Sequence, residues 1–108
     1  MRRGDIVLIR EAQTPASKAR PCVIIQRDST LEHASKITVC ALTSDLRDGT
    51  GTRPLVHPTQ DNGLKAPSQI EVDWIFTHPL TFVGPRVGAL DDDAMVRVDT
   101  ALRRWLDL

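Results

Sequence analysis

Long hydrophobic runs are absent from this sequence of 108 residues. No stretch approaches the roughly 20 apolar residues that a membrane-spanning helix needs, so we expect no passage through a bilayer. The N-terminus has no apolar signal-peptide core, and we therefore expect a cytoplasmic protein. A chain of this length is large enough for one core but too short for a second, which predicts a single domain over residues 1–108.

Cysteine is also scarce, with only Cys22 and Cys40 in the chain. Both fall in predicted buried strands, where cysteine behaves as a small hydrophobic residue that a cytosolic setting keeps reduced. Neither cysteine forms a ligand pattern such as Cys-x-x-Cys with the other or with His33, His57 or His78. The sequence therefore predicts no metal site and no cofactor.

An excess of one charge is missing too, because 14 basic residues balance 14 acidic ones. The net charge of the whole chain therefore gives no indication that it binds nucleic acid. The two halves differ, however: residues 1–56 carry nine basic against six acidic residues, and residues 57–108 carry five against eight. We therefore expect an anionic ligand to meet the first half of the chain.

What the sequence does contain is a series of short β-branched runs separated by turn signals, which is typical of a small β-barrel. The residues between these runs, 11–19, 28–35 and 48–51, are predicted as loops or turns. Gly84-Pro85 breaks the last run. The predicted strands span residues 5–10, 21–27, 36–43, 53–57, 68–72, 74–77 and, interrupted, 80–87.

Only the C-terminal segment has a helical pattern. Asp91 is placed to cap the N-terminus, and the aspartates and arginines at its two ends complement the helix dipole. Apolar residues recur every three or four positions, so we expect an amphipathic helix that packs on the barrel. Its predicted apolar face consists of Met95, Val98, Leu102, Trp105 and Leu106.

Two strand ends carry groups suited to a phosphodiester. The apolar runs 22–25 and 37–42 predict neighbouring buried strands, so Arg20 and Thr43 project from adjacent ends. A guanidinium fork matches phosphate oxygens, and a hydroxyl adds one more donor. The alternative is a solvated arginine held extended by Pro21 and a threonine chosen for its β-propensity.

Five segments, in this order, carry a resemblance through nearly the whole chain: Arg3-Gly4-Asp5-Ile6-Val7; residues 18–28 with Lys18-x-Arg20-Pro21; residues 42–47 with Leu42-Thr43-Ser44; residues 63–73 with Gly63-Leu64-Lys65; and Val87-Gly88-x-Leu90. Together they resemble the MazF/PemK family of toxin endoribonucleases. The resemblance implies a mainly β fold, an SH3-like small barrel with a C-terminal α-helix, as in MazF/PemK/CcdB-like plasmid maintenance toxins.

The resemblance also implies an activity, which is metal-independent, sequence-selective cleavage of single-stranded RNA. The 2′-hydroxyl would attack the neighbouring phosphorus and leave a 2′,3′-cyclic phosphate. The family's active-site arginine and threonine fall on Arg20 and Thr43, which would stabilise the charge on the phosphoryl oxygens. The sequence places no histidine near Arg20, so the general acid and base stay open.

Further residues are candidates for RNA binding. Asp73 matches an acidic residue that some family members place near RNA, and Glu71 stands where several relatives have an arginine. Trp74 and Phe76 share a strand face, where they either stack on bases or, as only four aromatics are present, pack in the core. The remaining candidates are Lys18, Ser44, Arg47 and Arg53.

The family resemblance implies two partners, a second copy of the chain and a small MazE/PemI-like antitoxin that masks the RNA groove. Residues 22–25 and 37–42 are apolar on both strand faces, and one helix of roughly four turns is too short to cover everything, which also favours a homodimer. The main alternative is a CcdB-like, non-enzymatic toxin that binds DNA gyrase through its terminal helix with Trp105. An inactive adaptor is a third possibility.

Overall fold

The computed structural model describes residues 1–10, 18–47 and 52–108. The predicted loop 48–51 and all but the last two residues of the predicted loop 11–19 lie outside the described residues. A curled six-stranded sheet has the order β4-β5-β3-β2-β1-β6. The predicted mainly β fold with a C-terminal helix is confirmed. The elements are β1 (Asp5–Ile9), β2 (Arg20–Ile24), α1 (Asp28–Leu31), β3 (Lys36–Thr43), β4 (Leu55–Val56), β5 (Ser68–Pro79), β6 (Val83–Ala89) and α2 (Asp92–Leu106).

Both faces of the central strands are buried, because successive side chains point to opposite sides of the sheet. The first core cluster lies under α2, and the second is covered by Leu31, Leu80 and the rings of Phe76 and Phe82. One chain therefore covers both faces of these strands, and the expected homodimer is not needed to bury them. The second core cluster consists of Val7, Ile9, Cys22, Ile24, Ile37, Val39 and Ala41.

The turn after β4 packs against β6 and draws the two edges of the sheet together. Asn62 holds this turn, because its side chain bonds the backbone of Thr59, His57 and Leu64. Gly88 permits the close approach, since a Cβ there would lie 2.4 Å from the carbonyl oxygen of Asp61. The sheet is thereby closed on one side into a half-barrel.

Strand β5 is continuous, whereas the sequence predicted two strands that meet at Asp73. Cys40 pairs with Ile75 and Leu42 with Ile70, so two steps along β3 oppose five along β5. The extra residues form a bulge, and bulges redirect side chains. The interruption that the sequence predicted at Asp73 is therefore this bulge and not a break in the strand.

Other boundaries also differ from the predictions. Residues 28–35, predicted as a turn, contain the short helix α1. Gly84-Pro85 does not break β6, because β6 is an edge strand with a register shift between Val83 and Arg86, and proline is tolerated at edges and bulges. Strand β4 is only Leu55–Val56, shorter than the predicted span 53–57.

Helix α2 begins as predicted, with the Asp91 side chain accepting a hydrogen bond from the backbone N–H of Ala94 at 2.8 Å. Val98 and Leu102 are buried, but Trp105 is 50% exposed. Its predicted place on the apolar face, like that of Leu106, is wrong because both lie in the last turn, beyond the buried part of the helix. Among the described residues, no helix is long and apolar enough to cross a membrane.

Candidate active site

Arg20 begins β2 and Thr43 ends β3, so the two residues lie at neighbouring ends of adjacent antiparallel strands. The register pairs Cys22 with Ala41 and Ile24 with Val39, and its continuation by two residues would bring Arg20 opposite Thr43. Directly opposed residues project from the same face of a sheet. The structure thus brings together the two residues that the sequence placed at neighbouring strand ends.

Both residues line a cavity of about 480 Å³. Pro21 and Leu42 contribute apolar walls, and the segment from Gly63 to Ala66 contributes Lys65. This volume is within the range of small-ligand sites, and the lining combines apolar surface with few polar groups. Lys65 appeared in the sequence only within a family motif, and no charge pattern singled it out.

The Thr43 hydroxyl keeps its proton available. Its oxygen accepts a hydrogen bond from the backbone N–H of Asp45 at 3.1 Å, which leaves the O–H free to donate. Strand β3 ends at Thr43, so Ser44 lies in the following bend and also lines the cavity. Thr43 and Ser44 therefore both belong to the lining that includes Arg20.

The Arg20 guanidinium contacts an unexpected partner, the carboxylate of Glu71. Its Nη2 donates to Oε1 of Glu71 at 3.2 Å, and the Glu71 side chain is only 4% exposed. The guanidinium carbon also lies 5.2 Å from the ring centroid of Trp74, in cation–π geometry. Sequence reasoning missed Glu71 because a lone glutamate in a strand gives no sign that it is buried.

Arg53 and Asp73 form a second, bidentate ion pair beside the first. The Nε and Nη2 of Arg53 each donate to a different Asp73 oxygen at 2.9 Å, and Nη2 lies 3.5 Å from Oε2 of Glu71. The hydrogen bond from Arg53 holds the pKa of Asp73 below its usual range, and Asp73 in turn raises the pKa of Arg53. The two arginines and two carboxylates therefore neutralise one another.

The two other predicted basic contacts are exposed. Lys18 lies just before β2, and Arg47 follows Ser44 with an exposed ion pair to Asp45 at 3.6 Å, a type of pair that contributes little to stability. The backbone of Arg47 is fixed instead by Gln69, whose amide bonds both its N–H and its C=O. Gln69, which lies opposite Thr43 on β5, is a second residue that the sequence did not single out.

Trp74 and Phe76 begin a row of rings along β5. Their centroids are 5.4 Å apart, and His78 follows Phe76 at 5.3 Å. Phe76 packs against the second core cluster, whereas Trp74 is 43% exposed. Of the two roles predicted for these rings, Phe76 has the core role, because it packs against the second core cluster. Trp74 is partly exposed to solvent beside Arg20.

Among the described residues that line the cavity, there is no cysteine and no histidine. Burial raises the pKa of the Cys40 thiol to about 12, so this group stays protonated and unreactive. His33 and His57 are exposed, and His78 belongs to the row of rings. The cavity therefore offers hydroxyl, guanidinium and ammonium donors without an imidazole.

Comparison with known proteins identifies the family of this chain. Residues 2–106 match the model of a family described as PemK-like, MazF-like toxin of type II toxin-antitoxin system. A probable endoribonuclease MazF from Mycolicibacterium smegmatis is 34% identical over 108 residues, which cover 100% of this chain and 98% of that protein.

Solved structures extend the comparison to the fold. The toxin MazF-mt6 of Mycobacterium tuberculosis superimposes with a TM-score of 0.79 at 28% identity, over 95% of this chain and 97% of that one. A mycobacterial endoribonuclease solved in complex with its cognate antitoxin has a TM-score of 0.80 at 20% identity, over 100% of this chain and 94% of that one. At that lower identity the likeness concerns the fold alone.

Proposed function

From the membership of this chain in the family of PemK-like, MazF-like toxins of type II toxin–antitoxin systems, and from its homology to an endoribonuclease, we infer that it cleaves single-stranded RNA at the cavity shared by Arg20 and Thr43. The observation that carries this proposal is that Arg20 and Thr43 line one cavity, where the Thr43 hydroxyl has a proton available to donate.

The reaction is an internal transesterification. The 2′-oxygen attacks the adjacent phosphorus as it loses its proton, the bond to the 5′-oxygen breaks, and that oxygen takes up a proton. The products are a 2′,3′-cyclic phosphate and a 5′-hydroxyl. Negative charge grows on the phosphoryl oxygens, and the Arg20 guanidinium and the Thr43 hydroxyl donate to them. No metal ion takes part in this scheme.

RNA binding draws on the exposed groups around the cavity. Lys18 and Arg47 contact backbone phosphates, and Ser44 adds a hydroxyl donor beside Thr43. The exposed edge of Trp74 offers a surface for a base. Arg53, Asp73 and Phe76 act beneath this surface, because the first two are paired with each other and the third packs against the core.

Two protein partners follow from the family. The mycobacterial relative solved with its cognate antitoxin supports a MazE/PemI-like antitoxin that covers the RNA site of this chain. A second copy of the chain is the other partner, with the exposed Trp105 and Leu106 of α2 as available apolar surface. Residues 1–108 act as one domain in the cytoplasm, and light scattering would return twice the 12.0 kDa chain mass for the dimer.

Incubation of the purified protein with a long mixed-sequence RNA in EDTA tests this function. We expect discrete cuts with 5′-hydroxyl and 2′,3′-cyclic phosphate ends. A matched RNA with 2′-O-methyl groups at the mapped sites should stay intact, because the nucleophile is blocked. Uncut natural RNA would contradict the proposal, and gyrase trapped on DNA by the same protein would favour the CcdB-like alternative.

A further inference from the structure

The Arg20 guanidinium is held from two directions. Glu71 accepts from Nη2 at its edge, and the Trp74 ring lies against its face at 5.2 Å. Within the described part of the chain, Arg20 makes no other side-chain hydrogen bond. The side chain is 34% exposed, so the remaining donors are available to the cavity that Thr43 shares.

Glu71 lies behind this guanidinium and not beside the substrate space. Its side chain is 4% exposed, and its two oxygens face Arg20 at 3.2 Å and Arg53 at 3.5 Å. It is not among the residues that line the cavity. A carboxylate in this position also repels phosphate, so attraction of RNA is not its contribution.

Arg53 and Asp73 fix the position of Glu71. The bidentate bond to Asp73 orients the Arg53 guanidinium, which is only 14% exposed, and its Nη2 then faces Glu71. Glu71, Asp73 and Trp74 all lie between the paired residues Ile70 and Ile75, where β5 bulges. Among the described residues, one local irregularity thus supplies both partners of the Arg20 guanidinium, Glu71 and Trp74.

We propose that Glu71 is a positioning residue for cleavage, which holds the Arg20 guanidinium against Trp74 with its free donors toward the scissile phosphate. This inference rests on the proposed function. A charge-stabilising group is most effective when its orientation is fixed before the reaction. Glu71 therefore contributes to the rate of the chemical step and not to the affinity for RNA.

Glu71→Gln separates these two contributions, because it keeps the shape of the side chain and removes its charge. Single-turnover cleavage measured against protein concentration gives a maximal rate and a half-saturation point. We expect the maximal rate to fall by about 10- to 100-fold, as for a misplaced catalytic group. Half-saturation should stay the same or improve, since a negative charge has left the site.

Asp99→Asn is the matched control. It neutralises the carboxylate of an ion pair away from the cavity, Arg3 with Asp99 of α2 at 2.6 Å, whose side chains are 29% and 33% exposed. We expect this variant to cleave at the original rate. A Glu71→Gln variant that cleaves as fast as the original protein, or that loses only affinity, would overturn the proposal.

A double variant distinguishes action through Arg20 from an independent role. In an Arg20→Lys background the guanidinium is gone, so Glu71→Gln should cause a much smaller further loss than it causes alone. An equal loss in both backgrounds would contradict positioning through Arg20.

Trp74→Leu provides a route that does not depend on the folding of the Glu71 variant. The ring is 43% exposed, so its loss is tolerable, and we expect a lower maximal rate. An unchanged maximal rate in Trp74→Leu would overturn the account of Arg20 held between ring and carboxylate. Failure of the original protein itself to cut RNA would refute the proposed function instead, so the two failures are distinguishable.

Discussion

At the scale of single residues, the candidate site depends on where protons and charges are available. Arg20 and Thr43 supply hydrogen-bond donors at the cavity. Burial raises the pKa of the Cys40 thiol to about 12, so this thiol has no such role. The Thr43 oxygen accepts from the backbone N–H of Asp45, which holds this oxygen in place and leaves the hydroxyl proton to donate. A donor fixed in this way is what a developing phosphoryl charge requires.

Substitution of Thr43 tests the hydroxyl. Thr43→Ser should keep most of the cleavage rate, while Thr43→Val, which preserves the β-branched shape, should lose about 100-fold or more. Thr38→Val is the matched control, since Thr38 lies on the same strand and bonds Thr77 instead. Gel analysis of RNA cleavage gives the rates, and a Thr43→Val variant that cuts normally would exclude a catalytic hydroxyl.

Whether the position of each of these residues could be predicted depends on whether local sequence or contacts between distant residues determine it. Arg20 and Thr43 end two predicted strands whose pairing is regular, so their proximity followed from the sequence. Glu71 and the Arg53–Asp73 pair did not follow, because the bulge in β5 changes which side chains share a face. A pattern with a period of two residues assigns side chains to the wrong face of the sheet once a bulge has shifted the register.

At the scale of elements, the half-barrel depends on the close packing of one turn on β6. The helix cap at Asp91 was predictable from local chemistry, whereas this packing joins residues that are distant in sequence. The backbone N–H of Ala89 donates to the Asp61 carbonyl at 2.9 Å. The same turn leads into Gly63 and Lys65 at the cavity, so its position also shapes the site.

Gly88→Ala tests this closure. The added Cβ would lie 2.4 Å from the Asp61 oxygen, so backbone must move, and we expect a loss of about 2–4 kcal/mol in the free energy of unfolding. Gly84→Ala on the same strand is the control, because its nearest atom lies at 3.1 Å and its cost should be smaller. Urea denaturation gives both values, and equal stability of the two variants would contradict this role.

At the scale of the whole molecule, the basic first half of the chain supplies only some of the charged groups at the candidate site. Lys18, Arg20 and Arg47 come from that half, but Glu71 and Asp73 of the second half neutralise two of the arginines at the site. Net charge therefore describes this protein poorly. The proposed RNA cleavage depends on the geometry of a few hydrogen-bond donors and not on a broad positive surface.

The central claim is that the Arg20 guanidinium stabilises the transition state. Arg20→Lys tests it most directly, because lysine keeps a positive charge beside the buried Glu71 but lacks the planar fork. We predict cleavage of the mixed-sequence RNA in EDTA at least about 100-fold slower, with the melting temperature nearly unchanged. An Arg20→Lys protein that melts normally and cuts at the original rate would contradict the account.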